Sequence, residues 1–427
     1  MTERKLRILI IGINYEPEKT GIGPYTAGLA RHLASRGHSV EVVTGLPSYP
    51  EWRVHESFRR VLWKTELIDG VRVHRRFHYV PRRQSAISRL AYEGSFLLSG
   101  LSSLLLHRPD MVVGVIPTLS GGVLARLVAR RFGVSCCLIF QDLMGPAAAQ
   151  AGISGANRVA ALVGSIEGWV ARNSSAVGII AAGFRGHLES LGVSAEKIHR
   201  VRNWSRVTSS SEDQPVTRKR LGWGVDTVVC LHAGNMGHKQ GLENIVECAR
   251  LAQDRGEAHL RFVLLGEGNQ RCHLEKLVAG YGLLNLEFLP LQAEDDFANV
   301  LAAADILLLN QRTGVAEMAL PSKLTAYLAA GRPVVAAVER DSETAHQVLE
   351  SGGGIIVEPS QSSALLEMIC HLASDQAIRG SLGKRGKVFA NSKLSEYSAT
   401  RELERFLTAT VASASDTPGT EARVRAR

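Results

Sequence analysis

Short, largely apolar runs recur along this chain, each followed by a loop and then by a stretch with helical spacing, and the cycle plays twice. Residues 7–11 (RILII), 39–44 (SVEVVT), 111–116 (MVVGVI), 136–140 (CCLIF) and 176–180 (AVGII) form the first series. Residues 227–231 (TVVCL), 260–265 (LRFVLL), 286–288 (LEF), 306–309 (ILLL) and 333–336 (PVVA) form the second. Strands apolar on both faces, alternating with helical segments such as residues 25–35 (YTAGLARHLAS), call for parallel sheets covered on both sides. Between the two series lies a polar, Ser-rich, aperiodic stretch at 206–215 (RVTSSSEDQP), which reads as a linker. The expected fold class is therefore α/β, with two doubly wound, Rossmann-like domains. Residues 1–205 make the first domain and residues 206–410 the second, whose last helix is free to pack back on the first. The two are expected to face each other across a cleft at their carboxyl strand ends, where open α/β sheets bind ligands. The stretch 411–427 (VASASDTPGTEARVRAR) is small, polar and basic, and reads as a disordered tail.

Length agrees with two such domains, since 427 residues exceed what one core serves. The net charge of +9, from 50 Lys+Arg against 41 Asp+Glu, points to an anionic partner: nucleic acid, a phosphate-bearing ligand or a membrane surface. Nucleic acid drops out because no module of interleaved aromatic and basic residues is present. The six cysteines are scattered without a C-x-x-C spacing, so neither a disulfide framework nor a metal site is expected. The first residues, MTERKLRILIIG, lack a signal-peptide core, so secretion is not expected and a cytoplasmic chain is.

Residues 86–106 (AISRLAYEGSFLLSGLSSLLL) are largely apolar, but Arg89 and Glu93 interrupt them, so the uncharged part falls short of a membrane span. An amphipathic helix of a globular domain is one reading. The neighbouring Arg59, Arg60, Arg75, Arg76, Arg82, Arg83 and Arg108 give another, a peripheral contact with an anionic membrane on its inner face.

Four loops that follow strands carry candidate chemistry. In GINYEPEKTGIG (12–23), Gly21 and Gly23 stand just before a helix, where backbone N–H groups meet an anion or simply make the turn. In HAGNMGHKQGL (232–242), Gly234, Gly237 and Gly241 free the backbone and Lys239 offers a point charge, which together favour a diphosphate site. The run Gly266-Glu267-Gly268-Asn269 reads alone as a tight turn. Pro321-Ser322-Lys323 reads as a helix start, where a Lys opposes the helix dipole and is tolerated if an anion sits there. In the first domain Asp142 closes a strand, either as a catalytic or sugar-binding carboxylate or as a helix N-cap. His38, His199 and His346 read as solvated, and Asp305 as structural.

In order along the chain, GINYEPEKTGIGPYT, PSYPEW (47–52), GVIPT (114–118), FQD (140–142), RNW (202–204), HAGNMGHKQGLEN, LLGEGNQ, FLPLQ (288–292) and LPSKLTAYLAAGRPVV resemble the GT-B glycosyltransferases of family 4, and within them the colanic-acid biosynthesis group. That resemblance implies a nucleotide-sugar donor, UDP- or GDP-linked, in the second domain. Its diphosphate would meet the backbone of Gly234, Asn235 and Gly237, Lys239, Gly241 and the helix start at Ser322, Lys323 and Leu324, with the base near Leu289. Gly21 and Gly23 would close on the donor phosphate, and Asp142 and Glu317 would stand near the reacting sugar. The family resembles itself in retaining anomeric configuration with no metal ion and no cofactor. The partners implied are the donor and a lipid-linked or glycan acceptor, in exopolysaccharide or cell-surface polysaccharide synthesis. There are departures. Asn235 and Gln240 replace an Arg and a Lys of the wider family, Lys239 comes one residue early, Ala326 stands where a second Glu belongs, and Glu317 is one residue out of phase. A GT-B enzyme of other chemistry, such as a sugar-nucleotide epimerase, and a non-catalytic two-lobed binding protein are the competing readings. A dehydrogenase is disfavoured because G-x-G-x-x-G is missing.

Overall fold

The computed structural model describes residues 4–82, 85–144, 156–207, 210–314 and 322–415. They divide into two compact units, Met1–Asn203 with Ala399–Arg427, and Trp204–Ser398. The helix Glu396–Ser415 thus belongs almost wholly to the first unit, and it continues through residues 411–415, where a disordered tail is expected.

The first unit holds eight strands: β1 (Arg7–Ile11), β2 (Ser39–Gly45), β3 (Trp63–Ile68), β4 (Val71–Arg76), β5 (Met111–Ile116), β6 (Ser135–Phe140), β7 (Ala176–Ile179) and β8 (Ile198–Arg200). Their order is β3-β4-β2-β1-β5-β6-β7-β8, parallel except for β3. The second unit holds β9 (Val228–Ala233), β10 (Leu260–Leu265), β11 (Leu286–Leu289), β12 (Ile306–Asn310), β13 (Val334–Ala337) and β14 (Gly354–Val357), in the order β11-β10-β9-β12-β13-β14, all parallel. Alternate residues of each central strand feed opposite cores, as the pleat requires. Cys230, Phe262, Leu264, Ile306 and Leu308 pack on one face of the second sheet. Val229, Leu231, Val263, Leu265, Leu307 and Leu309 pack on the other. This two-sided burial is why the strands read as continuous apolar runs. It also explains the buried cysteines: burial pushes the Cys136 and Cys137 thiols up to about 12, so they act as small apolar groups.

Strand order reverses between β1 and β5 in the first sheet and between β9 and β12 in the second. At such a switch point the loops leaving the carboxyl ends diverge and open a crevice. The loops after β1 and β9 are the two glycine-rich segments singled out by sequence.

Three sequence expectations need correction. Arg75 is not a surface cation: it is 1% exposed, ion-paired to Glu66, bonded to the Glu16 carbonyl at 2.7 Å and stacked 5.1 Å over the Phe58 ring. Its neighbour Arg76 is half-buried on Ser102 Oγ at 2.7 Å. His38 is buried rather than solvated; its Nδ1 accepts from Leu6 N–H, so Nε2 carries the proton and donates to Glu404 at 3.4 Å. Asp305, by contrast, is structural as expected, holding Arg218 at 2.8 Å and the Val229 N–H at 2.9 Å.

The helix Ala86–Gly100 and the 3-10 segment Leu101–Leu105 account for the long apolar stretch. Their interrupting charges turn inward. Glu93 accepts from the Ser120 N–H at 3.0 Å, at the start of the helix Leu119–Phe132, and Arg89 pairs with Glu93 at 3.1 Å. The opposite side leaves Ile87, Leu90, Leu98, Leu101 and Leu105 exposed at helical spacing. Among the described residues no helix is long and apolar enough to cross a membrane.

Candidate active site

In the second unit the site is built on the end of β9. Gly234 takes φ +129, and its N–H still continues the ladder to the Leu265 carbonyl at 2.8 Å. Met236 N–H donates to the Glu267 carbonyl at 2.8 Å, which ties this loop to the one after β10. Contact there is backbone on backbone. A methyl group on Gly266 (φ +130) would meet the Gly234 carbonyl, and one on Gly268 would meet the Met236 carbonyl. The turn at Gly266–Asn269 is therefore a fitted partner of the first loop, not an isolated bend.

The helix Ser322–Ala330 docks onto this pair of loops through two residues four apart, which share one face. Tyr327, fully buried, accepts from Ala233 N–H at 2.7 Å and donates to Ala233 O at 3.1 Å. Lys323 lies against Gly234, where its Cε would be 2.6 Å from an added methyl, so this glycine makes room for the lysine. Its Nζ donates to the Asn235 carbonyl at 3.1 Å and to His232 Nε2 at 3.1 Å. His232 is fully buried and its Nδ1–H donates to Leu308 O at 3.0 Å, which leaves the Nε2 lone pair for the lysine. Burial, then the Lys323 charge, hold this imidazole well below its ordinary value, so it stays neutral. Burial also brings Lys323 down to about 8. The result is a single, positioned cation at a helix N-terminus beside a glycine with room only for backbone, an arrangement suited to an anion.

The backbone amides expected to cradle phosphate are largely spoken for. Gly234 and Met236 N–H donate within the sheet extension, and Gly237 N–H donates to Gln240 Oε1 at 3.1 Å. Gln240, which stands where the wider family carries a Lys, thus shapes its own turn. Gly241 takes φ +55 to end that turn, packed against Arg312. Asn235 N–H has no partner among the described residues. Lys239 is exposed, its side chain is likewise unpartnered, and its carbonyl accepts from Arg312 N–H at 2.9 Å. Arg312, just past β12, donates from its guanidinium to the His238 ring and reaches Glu243 at 3.7 Å. Asn310 fixes the turn by donating to the Gln240 and Gly241 carbonyls at 2.6 and 2.8 Å. At the expected base position, the Leu289 carbonyl is occupied by Gly266 N–H at 3.0 Å and Arg271 at 3.3 Å, and Leu291 is exposed. Leu324 is fully buried and serves the core. The side chain of Ser322 and all of Glu317 lie outside the described residues.

The structure thus brings Gly234, Asn235 and Lys323 together, and adds His232, Tyr327 and Arg312, which sequence reading passed over. Tyr327 had a signal, its four-residue spacing from Lys323. His232 had a fainter one, as the polar residue at the carboxyl end of a wholly apolar strand.

In the first unit, Gly21 (φ +69) faces Tyr49, whose Cε1 would lie 2.8 Å from an added methyl; its glycine is thus demanded by the turn and by the ring. Gly23 opens the helix Gly23–Ser35, whose first turn has no side-chain cap and no acidic residue. Beneath them Glu18, buried, accepts from Ser48 and Tyr49 N–H at 2.9 Å each and from Asn14 at 2.9 Å, and so joins the loop after β1 to the loop after β2. Burial raises its carboxyl above the ordinary range against the pull of those bonds. Asp142 is half-buried at the end of β6 and accepts from Leu143 N–H at 2.9 Å. The next amide, Met144 N–H, goes instead to Glu167 at 2.7 Å.

Comparison with known proteins places this geometry. Residues 20–204 match the "Glycosyl transferase 4-like domain" family and residues 227–375 match "Glycosyl transferases group 1". The chain is 35% identical over 374 residues to the putative colanic acid biosynthesis glycosyl transferase WcaI of Escherichia coli K12, covering 84% of this chain and 90% of that protein. The chain belongs to the family 4 glycosyltransferases. Its fold is GT-B, like that of Anabaena Alr3699/HepE in complex with UDP (TM-score 0.68, 16% identity, 94% of this chain and 100% of that one). It is also like that of WaaG, a glycosyltransferase involved in lipopolysaccharide biosynthesis (TM-score 0.63, 17% identity, 93% and 98%). This glycosyltransferase is a nucleotide-sugar-dependent enzyme of the hexosyltransferase type. Among its described residues no group of three or more His, Cys, Asp or Glu could hold a metal ion.

Proposed function

We propose that this glycosyltransferase moves a sugar from a UDP- or GDP-sugar to a lipid-linked glycan acceptor, with retention of anomeric configuration, in exopolysaccharide or other cell-surface polysaccharide synthesis. The observation that carries the reading is the Lys323 ammonium, held at 3.1 Å from both His232 Nε2 and the Asn235 carbonyl at the start of a helix. In this reading the second unit holds the donor. Lys323, the amides at the helix start and the Asn235 N–H stabilise the negative charge that grows on the leaving diphosphate, which is the work a metal ion does in other transferases. Lys239 and Arg312 add positive charge beside the same loop, and Leu289 lies near the base. Asp142 and Glu317 are assigned to the reacting sugar, where a carboxylate favours an oxocarbenium-like transition state. The first unit takes the acceptor, with Gly21 and Gly23 toward the phosphate. The similarity to WcaI and to WaaG supports a cell-surface glycan as product.

Incubation with radiolabelled UDP- and GDP-sugars and a membrane fraction should give label in the lipid-extractable or polymeric fraction. Absence of transfer from every donor, with no nucleotide bound in calorimetry, would overturn the reading.

A lipid-linked acceptor is met at a bilayer, and the exposed row Ile87, Leu90, Leu98, Leu101 and Leu105 supplies an apolar face for it. Of the neighbouring arginines named from the sequence, Arg59, Arg60, Arg82 and Arg108 are exposed; Arg83 lies outside the described residues. The double substitution Leu90→Asp and Leu98→Asp removes two side chains that are 70% and 71% exposed, so the fold should be kept. Each leucine buried in lipid is worth about 1.5–3 kcal/mol, so sedimentation with phosphatidylglycerol vesicles should fall at least roughly tenfold. Equal sedimentation would remove this face from the assignment.

A further inference from the structure

We propose that the first unit carries a second anion site, specific for a small phosphorylated ligand of diphosphate or sugar-phosphate size, at the amino ends of its central strands β1 and β2, opposite the glycine-rich loop. A cavity of about 310 Å³ opens there between the residues leading into β1, the residues leading into β2 and the helix Glu396–Ser415. Its walls carry Arg4, Arg36, Arg401 and Arg405, with Leu6, Val411 and Ala412 supplying apolar surface.

The charge of this cavity is not balanced from within. Its carboxylate, Glu404, is 6% exposed and has both oxygens committed: Oε2 to His32 at 2.8 Å, Oε1 to Arg36 at 3.3 Å and to His38 at 3.4 Å. The neighbouring acid Glu402 is drawn away to Arg202 at 3.2 Å. Arg4, Arg401 and Arg405 have no side-chain partner among the described residues. Three unpaired guanidiniums around one concavity repel one another, and the ligand chemistry that relieves this is a multiply charged oxyanion bound by planar forks. A phosphoanion fits that requirement better than a carboxylate, because its several oxygens can meet forks from more than one wall. The volume stands at the small end of small-molecule pockets, which suits a diphosphate or a sugar phosphate rather than a whole nucleotide sugar. Since the arginines come from the amino-terminal lead (Arg4) and the carboxyl-terminal helix (Arg401, Arg405), an occupant would clamp that helix to the sheet.

The experiment is a calorimetric titration of the full chain with inorganic pyrophosphate at low salt, on the wild type, on Lys323→Ala and on Arg401→Gln with Arg405→Gln. Binding that persists in Lys323→Ala and weakens at least roughly tenfold in the arginine pair supports the site, since charge-assisted bonds of this kind carry about that much each. Unchanged affinity in the arginine pair, or binding lost only with Lys323→Ala, overturns it. An unliganded melting temperature equal to wild type shows that the arginine pair folds, and Arg4→Gln repeats the test from the other wall. Phosphatidylglycerol vesicles serve as the second arm. If they bind through the same arginines and pyrophosphate displaces them, the phosphoanion is a lipid headgroup. If they do not bind while pyrophosphate does, it is a free one.

Discussion

Lys323→Ala should cost roughly 100-fold in donor affinity and at least as much in transfer rate, because a charge-assisted bond to a phosphate oxygen is worth about 1.5–3 kcal/mol and more as charge builds on the leaving group. The lysine is not interchangeable with a surface cation. It sits against Gly234, its proton donated toward a neutral His232 and the Asn235 carbonyl, so its ammonium points one way before any ligand arrives. The same burial that fixes it makes it titrate near 8. Nucleotide affinity should therefore fall as pH rises through about 8, since only the charged form pairs with a diphosphate. Stability should move oppositely. With the folded value depressed below that of the unfolded chain, the unfolded state binds more protons between about 8 and the ordinary lysine value of 10.5, so the unliganded enzyme gains stability as pH rises across that window. Calorimetry and thermal melts at pH 7 and 9 measure both. An affinity independent of pH would remove Lys323 from the phosphate site.

Gly266→Ala should be among the most destabilising single substitutions in the second unit. It places a methyl group on the Gly234 carbonyl and forces an L residue to φ +130. Neither side can yield, since Gly234 N–H is bonded to the Leu265 carbonyl and Met236 N–H to the Glu267 carbonyl. Strain of that backbone type with a main-chain clash amounts to about 3–4 kcal/mol, or roughly 6–16 °C in melting temperature for a unit of this size. Gly280→Ala is the matched control: it lies within the helix Arg271–Tyr281 with nothing within 4 Å of the added methyl. There alanine should stabilise by about 0.5–1 kcal/mol. Equal melting of the two variants would mean that the loop contact carries no strain.

The alternation of apolar runs made the two sheets legible in the sequence, because strands buried on both faces leave no polar gaps; β1, β5 and β10 begin and end where those runs do. Strands buried on one side only did not stand out. β3 and β4 have mixed composition, yet the Asp69-Gly70 pair between them, with φ of 48° and 79°, is the two-residue hairpin signal that sequence reading passed over. β8 is three residues long and β14 contains half-exposed positions, too little pattern to see. In the site, glycines and lysines were visible as residue types, but their tasks were set by contacts far apart in sequence. Lys323 depends on His232, 91 positions away, and Gly21 on the ring of Tyr49. Arg75 was misplaced for the same reason, as Glu16, Phe58 and Glu66 together bury it.

The first unit is written in two pieces, with the whole of Trp204–Ser398 between them. During synthesis the helix that carries His32 and the turn that carries His38 leave the ribosome well before Glu404, the carboxylate that joins them, has been translated. For that interval the buried His38 and the groove that receives the last helix stand open to water, while the inserted unit, continuous in the chain, has every strand it needs. The order of completion is thus reversed from the order of translation: the unit begun second is finished first.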